Sequence, residues 1–432
     1  MHNFIGKSDT IGVISLGCSR NTVDSEKILA DVRAHGARIC SVQNASSILV
    51  NTCAFTKDAK EESIDVIMDL IDLKKKGKIK KIFVHGCLSE RYPEELRRNF
   101  KEVDAFVGIA DFKKTFDGRA RRLTAKHLAY LKIAEGCDNA CTYCAIPQIK
   151  GALRSRCVSS ILREAESLDA SGVKELNIVG QDITLFGWDK SAKKTRDPRS
   201  CAPLVGLLKK ILKRTSIPWI RLFYLHPLRM SDELVDLIST EERICPYVDL
   251  PLQHVSARIL KLMGRGMGKK EISCLIQRLR KKIPDMALRT TFIVGFPSES
   301  DSEFGELLDF ITTHPFDRLG AFMYSQEEGT RAYRFKGQVD GKTKQERYDA
   351  LMSLQQKISE GLLKKELGRI RQVLVDEDKK SVRGVTIART RRDGPEVDGV
   401  AYLSSKKILK IGTLVPCRIT DSYEYDLVAE AL

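Results

Sequence analysis

The sequence predicts an α/β protein in three parts: a doubly wound N-terminal α/β domain over residues 8–120, an open, partial TIM-like barrel over 123–360, and a small all-β barrel over 369–432. Three observations carry this. Short apolar strands alternate with helical stretches through the first part, and the alternation restarts near Leu123. After Gly368 the pattern changes to short β-type runs separated by turn residues. A chain of 432 residues has room for several domains, each with its own core.

In the first part the strands read Ile11–Leu16, Ser47–Val50, Lys81–Val84 and Val103–Val107. Thr22–His35 and Asp58–Leu73 carry apolar residues at helical spacing between them. Such alternation means a parallel sheet wound on both faces. Six strands follow in the second part: Ala129–Ile133, Glu175–Val179, Trp219–Phe223, Tyr247–Leu250, Ala287–Ile293 and Leu319–Met323. With helical segments between them they fit a partial TIM-like barrel, whose working groups belong at the C-terminal ends of its strands. Lys190–Asp197 reads as a polar loop, and residues 343–368 as one amphipathic helix with Leu351, Leu354, Ile358 and Leu362 on a face. The last part offers Gln372–Val375, Val382–Ala388, Val400–Leu403 and Val415–Ile419, with turns at Asp393-Gly394-Pro395 and Asp398-Gly399.

Hydrophobic residues make up 42% of the chain, charged residues 30%, and no apolar run is long enough to span a membrane. The N-terminus has no long apolar stretch of the secretory kind, so the expected compartment is the cytoplasm. In that reducing setting the twelve cysteines point to metal ligation rather than disulfides. The net charge of +16 suggests a polyanionic partner such as RNA or the ribosome, although runs such as Lys74-Lys75-Lys76 suit solvated helix ends equally well.

The strongest signal is Cys137, Cys141 and Cys144, in the run Glu135-Gly136-Cys137-Asp138-Asn139-Ala140-Cys141-Thr142-Tyr143-Cys144. Three thiolates from one loop can face one inorganic body. A 4Fe–4S cubane takes four ligands, so three cysteines leave one iron open. A zinc knuckle is the rival reading, but structural zinc usually takes four Cys/His ligands and no second Cys pair lies nearby. Cys18, Cys53 and Cys87 form a second set, each just past the end of a predicted strand in successive βα units. Ligands in open α/β sheets gather outside those carboxyl ends, so a second three-cysteine cluster is expected there. Cys40, Cys201, Cys245, Cys274 and Cys417 read as buried small hydrophobes.

The Cys137–Cys144 spacing, with Tyr143 before its last cysteine, resembles the radical S-adenosylmethionine (SAM) enzymes. Together with Cys18, Cys53 and Cys87 and the terminal barrel, which is similar to a TRAM domain, the chain resembles the methylthiotransferases over nearly its whole length. The resemblance implies two 4Fe–4S clusters, SAM on the open iron as source of a methyl group and of a 5′-deoxyadenosyl radical, and sulfur delivery at the second cluster. It also implies an electron donor of flavodoxin or ferredoxin type. Tyr143, Gln181 and Gly295 are its candidate cofactor-binding residues, Gly295 through Thr291–Pro297, which resembles the strand beside the SAM adenine. Asp182 and His254 are expected at the barrel mouth, His254 having a hydrogen-bonded core histidine as its rival reading.

Within that family the run Ser15–Glu26, Gly172–Leu176 with Gln181-Asp182, and Tyr324–Thr330 resemble the branch that modifies an aspartate of small-subunit ribosomal protein S-twelve (RimO-type). The other branch modifies a tRNA adenosine (MiaB-type), and a non-catalytic Fe–S protein that binds RNA or the ribosome is a reading of another class. Ser19-Arg20 stands where the first branch usually has Pro-Lys, Cys157 where Pro is usual, and His226 where Tyr is usual. Residues 371–432 hold 11 Lys+Arg and 10 Asp+Glu. That near-neutral barrel, with Asp376-Glu377-Asp378, Asp421, Glu424 and Asp426, suits a basic protein better than tRNA. The expected partner is therefore ribosomal protein S-twelve or the small ribosomal subunit, held by the TRAM domain, with ribosomal RNA contact and no membrane.

Overall fold

A computed structural model of the chain describes residues 9–108, 122–190, 197, 199–377 and 385–432. In the first of these segments β1 (Thr10–Ser15), β2 (Arg38–Ile39), β3 (Ser47–Thr52), β4 (Lys81–Gly86) and β5 (Ala105–Val107) form a parallel sheet in the order β2-β1-β3-β4-β5. The helices are α1 (Ser19–Ala34), α2 (Lys57–Lys75), α3 (Cys87–Arg91) and α4 (Pro93–Asn99). Strand alternation assigns the faces. Leu49 and Phe83 pack with Ile28 and Val32 of α1, while Ile48, Val50, Ile82 and Val84 pack with Ile67, Leu70 and Ile71 of α2. Helices on opposite faces make the sheet doubly wound, and β3 is accordingly buried at every position. The basic end of α2 is solvated as expected but not idle, since Lys74 pairs with Asp104 at 2.6 Å beside the helix C-terminus.

His85 of β4 is buried, and its Nδ1 donates to the Val107 carbonyl at 3.0 Å. Burial holds its pKa down to about 4, against 6.5. The unfolded chain therefore binds a proton that the folded chain refuses. This contribution to stability is complete above pH 6.5 and is lost as pH falls through about 4, at about 1.4 kcal/mol per pH unit within that window. Urea unfolding of the apoprotein across this window should show a shallower acid loss for His85→Gln than for the parent chain.

The second part contains β6 (Leu128–Lys132), β7 (Ala134–Glu135), α5 (Ile146–Ile149), β8 (Arg154–Ser155), α6 (Val158–Ala170), β9 (Glu175–Val179), α7 (Ala202–Arg214) and β10 (Trp219–Leu222). It continues with α8 (Asp232–Thr240), β11 (Tyr247–Asp249), α9 (Ala257–Met263), α10 (Lys269–Lys282), β12 (Ala287–Val294), α11 (Asp301–Thr313), β13 (Arg318–Met323) and α12 (Gly341–Leu363). Sheets β10-β9-β6 and β11-β12-β13 are joined by a parallel bridge between Ile220 and Ile244. Among the described residues no pairing joins β6 to β13, so the barrel is open. All six predicted strands are present. The predicted helix 343–368 begins at Gly341, where Asp340 caps the Thr343 N–H at 2.9 Å, and ends as α-helix at Leu363. The predicted loop Lys190–Asp197 lies largely outside the described residues.

The last part is a closed barrel of β14 (Ile370–Glu377), β15 (Val385–Thr390), β16 (Ala401–Ser404), β17 (Leu414–Ser422) and β18 (Leu427–Ala431), in the order β14-β15-β16-β18-β17. The fifth strand has no counterpart in the sequence reading. Leu427 and Ala429 point inward while Glu430 is exposed, a run too short to stand out from the turn before it. This domain caps the end of the open barrel where the strands begin. Trp219 Nε1 donates to Gln372 at 3.3 Å, Arg371 pairs with Asp285 at 2.5 Å, and Arg392 pairs with Asp317 at 2.7 Å. The turn Asp393–Asp398 enters the barrel floor: Asp393 meets Arg318, Glu396 accepts from Tyr130 at 3.0 Å, and Asp398 accepts from Tyr247 at 2.6 Å.

Candidate functional site

At the opposite end of that barrel the Cys137–Cys144 loop follows β7, where the strand-end rule puts it. Its shape is fixed from every side. Gly136 has φ +73°, and a Cβ there would lie 2.2 Å from the Ala152 carbonyl, so only glycine fits. Cys137 N–H donates to Gly151 O at 3.2 Å, and Asp138 accepts from Leu153 N–H at 2.9 Å. Asn139 donates to Asp182 at 2.7 Å and accepts from Arg229 at 2.7 Å, with Arg229 also paired to Asp182 at 2.5 Å. Thr142 donates to the carbonyls of Met263 and Leu262 at the end of α9. Arg265 points Nη1 at Cys141 Sγ, 3.7 Å away.

Cys18 caps α1, Cys53 follows β3 and Cys87 opens α3. Strands β1, β3 and β4 are adjacent and in register, with Ser15 opposite Asn51 and Asn51 opposite His85, so the three cysteines extend one row across the sheet edge. Gly17 lies so close that a Cβ would stand 3.0 Å from Cys53 Sγ. Burial would raise the Cys18 thiol, but the Arg20 guanidinium outweighs it. Its charge and its Nε hydrogen bond at 3.3 Å hold Cys18 below the ordinary thiol range. Burial pushes Cys53 up and Cys87 up to about 12; in the loop it pushes Cys137 up to about 11 and Cys144 up to about 12. Thiols so placed become thiolates when a metal replaces the proton.

The two triads are neighbours. Ala145 and Ile149, directly after Cys144, pack in one apolar cluster with Cys87 and Leu88. Arg20 donates to Gly180 O, past the end of β9, at 3.3 Å and lies 4.6 Å over the Tyr224 ring. Asp24 of α1 binds Lys132 and, at 3.3 Å, Lys150, and both lysines also pair with Glu135. Gln181 donates to Glu135 at 2.8 Å, so the predicted strand-end residue joins this buried network. Tyr143 packs in the apolar cluster that holds Phe296 and Ile293, the residues flanking the end of β12. Gly295 itself, at φ +69°, is covered by Lys344 of α12, whose Cγ would lie 2.3 Å from an added Cβ.

The donor chemistry fits iron–sulfur clusters: two sets of three soft thiols, each set beside a guanidinium. Among the described residues no group of three His, Cys, Asp or Glu side chains converges enough to hold a single metal ion. In a cubane each thiolate meets a different iron, which sets the ligands further apart than around one ion. Other sequence expectations divide. His254 is a core histidine: it is fully buried, Nδ1 accepts from Ser256 N–H at 2.9 Å and Nε2 faces Glu299 at 3.3 Å. Cys201, Cys245 and Cys417 are buried, whereas Cys274 is exposed and Cys40 half-buried, contrary to their reading as core thiols. Asp376 is spent within the chain, on Arg389 at 2.6 Å and His127 at 2.8 Å, and so does not face a partner. Arg20, Lys132, Lys150, Arg229 and Tyr224 were missed; Arg20 was visible only as a departure from the family's Pro-Lys. Tyr224 is the more unusual, a bulky aromatic at φ +59°, a conformation costing on the order of 1–3 kcal/mol that surrounding contacts must impose.

Three known families match the chain in order: Uncharacterized protein family UPF0004 over residues 10–108, the Radical SAM superfamily over residues 131–311, and the TRAM domain over residues 367–432. Its relatives include ribosomal protein uS12 methylthiotransferase RimO of Clostridium kluyveri, 42% identical over 443 residues and covering 97% of both chains. The protein of the same name from Thermoanaerobacter sp. is 43% identical, over 97% of this chain and 99% of that one. Among solved structures, the radical S-adenosylmethionine methyltransferase TsrM of Kitasatospora setae superposes with a TM-score of 0.53 at 13% identity, over 73% of this chain and 75% of that one; at that identity the likeness speaks for the fold. Two cysteine triads at one domain interface, three families in this order and similarity along the full length agree: the chain belongs to the ribosomal protein uS12 methylthiotransferase family.

Proposed function

We propose that this protein is the enzyme that adds a methylthio group to the β-carbon of an aspartate in ribosomal protein uS12. The observation that carries the reading is full-length similarity to enzymes of that name, together with the two triads meeting at one interface. Cys137, Cys141 and Cys144 hold the cluster that leaves an iron open for SAM, and Cys18, Cys53 and Cys87 hold the second. When bound, clusters and SAM supply one-electron radical chemistry. That chemistry is needed because a β-carbon C–H is not acidic enough for a general base.

The chain's own part is confinement. The Asp24–Lys132–Glu135–Lys150 network and the packing of α3 against α5 close the space between the triads, which keeps water from a reactive centre. Arg20 and Arg265 offset the negative charge of the thiolates. Tyr143, Gln181 and Gly295 border the SAM side. The TRAM domain engages uS12 or the small subunit, and since it caps the far end of the barrel, such a partner reaches around roughly 20 Å of strand to present its aspartate. Ribosomal RNA contact would draw on the basic surface, the electron donor is of flavodoxin or ferredoxin type, and the reaction takes place in the cytoplasm.

Mass spectrometry of ribosomal proteins and tRNA from cells with and without the gene tests this. The expected result is a methylthio increment (loss of H, gain of SCH₃) on uS12 only when the gene is present. An increment on tRNA adenosine with uS12 unmodified would overturn it.

A further inference from the structure

We infer that Tyr224 and Asp249 are positioning residues for the Arg20–Cys18 pair, and that the C-terminal barrel holds them in place through Asp398 and Arg289. The inference rests on the proposed role of Cys18 as a cluster ligand.

The contacts run in series through the barrel interior. Arg20 binds Cys18 Sγ at 3.3 Å and lies on the Tyr224 ring at 4.6 Å. Tyr224, at φ +59°, does not hold that backbone conformation unaided. Its N–H donates to Asp249 Oδ2 at 2.9 Å, the next N–H, of Leu225, to Asp249 O at 3.0 Å, and its carbonyl accepts from Ile183 N–H at 3.3 Å. Asp249 is fully buried, and its other oxygen takes Arg289 Nη1 at 3.0 Å. Arg289 Nε in turn stands 3.4 Å from Asp398 of the C-terminal domain. Asp398 is itself fixed by Tyr247 OH at 2.6 Å and Gly394 N–H at 2.8 Å.

One arginine is thus shared by two carboxylates from different domains, and the first of them imposes the strained turn on which Arg20 rests. Without Asp398's charge Arg289 is held from one side only, and Asp249 loses the fixed geometry with which it grips Tyr224. Coupling of this kind travels through contiguous, fully packed polar contacts. It gives the TRAM domain a hold on the cysteine site at the opposite end of the barrel.

Two readouts test it on the full chain. In the apoprotein, hydrogen exchange at the Tyr224 and Leu225 amides should rise by roughly tenfold in Asp249→Ala and by a smaller factor in Asp398→Asn, because both open the local structure. Arg371→Ala, which cuts a different tie between the domains, should leave these amides unchanged. In protein carrying Cys137→Ala, Cys141→Ala and Cys144→Ala, the single remaining cluster reports on Arg20. Arg20→Ala should lower its midpoint potential, since a neighbouring cation favours the reduced form, and Arg20→Lys should restore part of the shift. Asp398→Asn should move the potential in the same direction. Unchanged exchange and potential in Asp398→Asn, or an equal response to Arg371→Ala, would overturn the inference. Absence of iron from the triple-alanine protein would instead remove the ligand role of Cys18, and with it the link from Tyr224 to the cluster.

Discussion

Cys141→Ala, reconstituted anaerobically, is expected to hold about four irons in place of about eight and to form no 5′-deoxyadenosine from SAM. A site with three protein thiolates has none to spare, and two are too few to keep a cubane. The loop is fixed without any metal, by Gly136, by Asp138 and by the Asn139–Asp182–Arg229 contacts, so the loss reflects the missing ligand and not a collapsed loop. Cys157, exposed at the start of α6, is the one cysteine near in sequence that could substitute. A second replacement there separates rescue from an error in the assignment. Ordinary 5′-deoxyadenosine formation by the double variant would remove the radical-SAM role from this loop.

The second large effect is expected at the barrel floor. Glu175, fully buried at the start of β9, pairs with Arg221 at 2.8 Å and Arg389 at 2.7 Å, and neither guanidinium is more than 4% exposed. Both arginines hold Glu175 below the usual carboxylate range despite its burial. Glu175→Ala leaves buried Arg221 without a carboxylate and Arg389 with Asp376 alone, a defect costing about 3–5 kcal/mol. Arg389 ties the C-terminal barrel to the floor, so thermal unfolding should show that barrel releasing first, with new protease sensitivity around residues 364–370. Adding Arg389→Ala should recover part of the loss, because the pair is coupled. A Glu175→Ala protein whose stability stays within about 1 kcal/mol of the parent would show that the remaining partners, Asp376 for Arg389 and the Arg391 carbonyl for Arg221, suffice without this carboxylate.

Much of this was legible in the chain. Short apolar runs such as Ile48–Val50 announce strands because burial on both faces of a parallel sheet favours uninterrupted apolar residues. Cysteine spacing within one loop is local, so Cys137, Cys141 and Cys144 can be read in order. Cys18, Cys53 and Cys87 needed only one further step, that successive βα units align their strand ends. The fifth barrel strand, Leu427–Ala431, was missed because it closes the barrel by pairing with β16 and β17, and pairing leaves no mark on five residues of sequence.

What was legible in the sequence by itself, then, was the fold class and the two cysteine triads, through periodicity and spacing along the chain, and the family, through the resemblance of its motifs. Only the tertiary structure decided that Arg20 serves Cys18, that Lys132 and Lys150 share Asp24 and Glu135, that His254 is a core residue and Asp376 an internal one, and that the C-terminal barrel closes the floor through Asp393–Asp398. The reason is physical: a buried charge must find its counter-charge, and that partner comes from whichever segment folding brings within about 3 Å, here as far as 249 residues away along the chain.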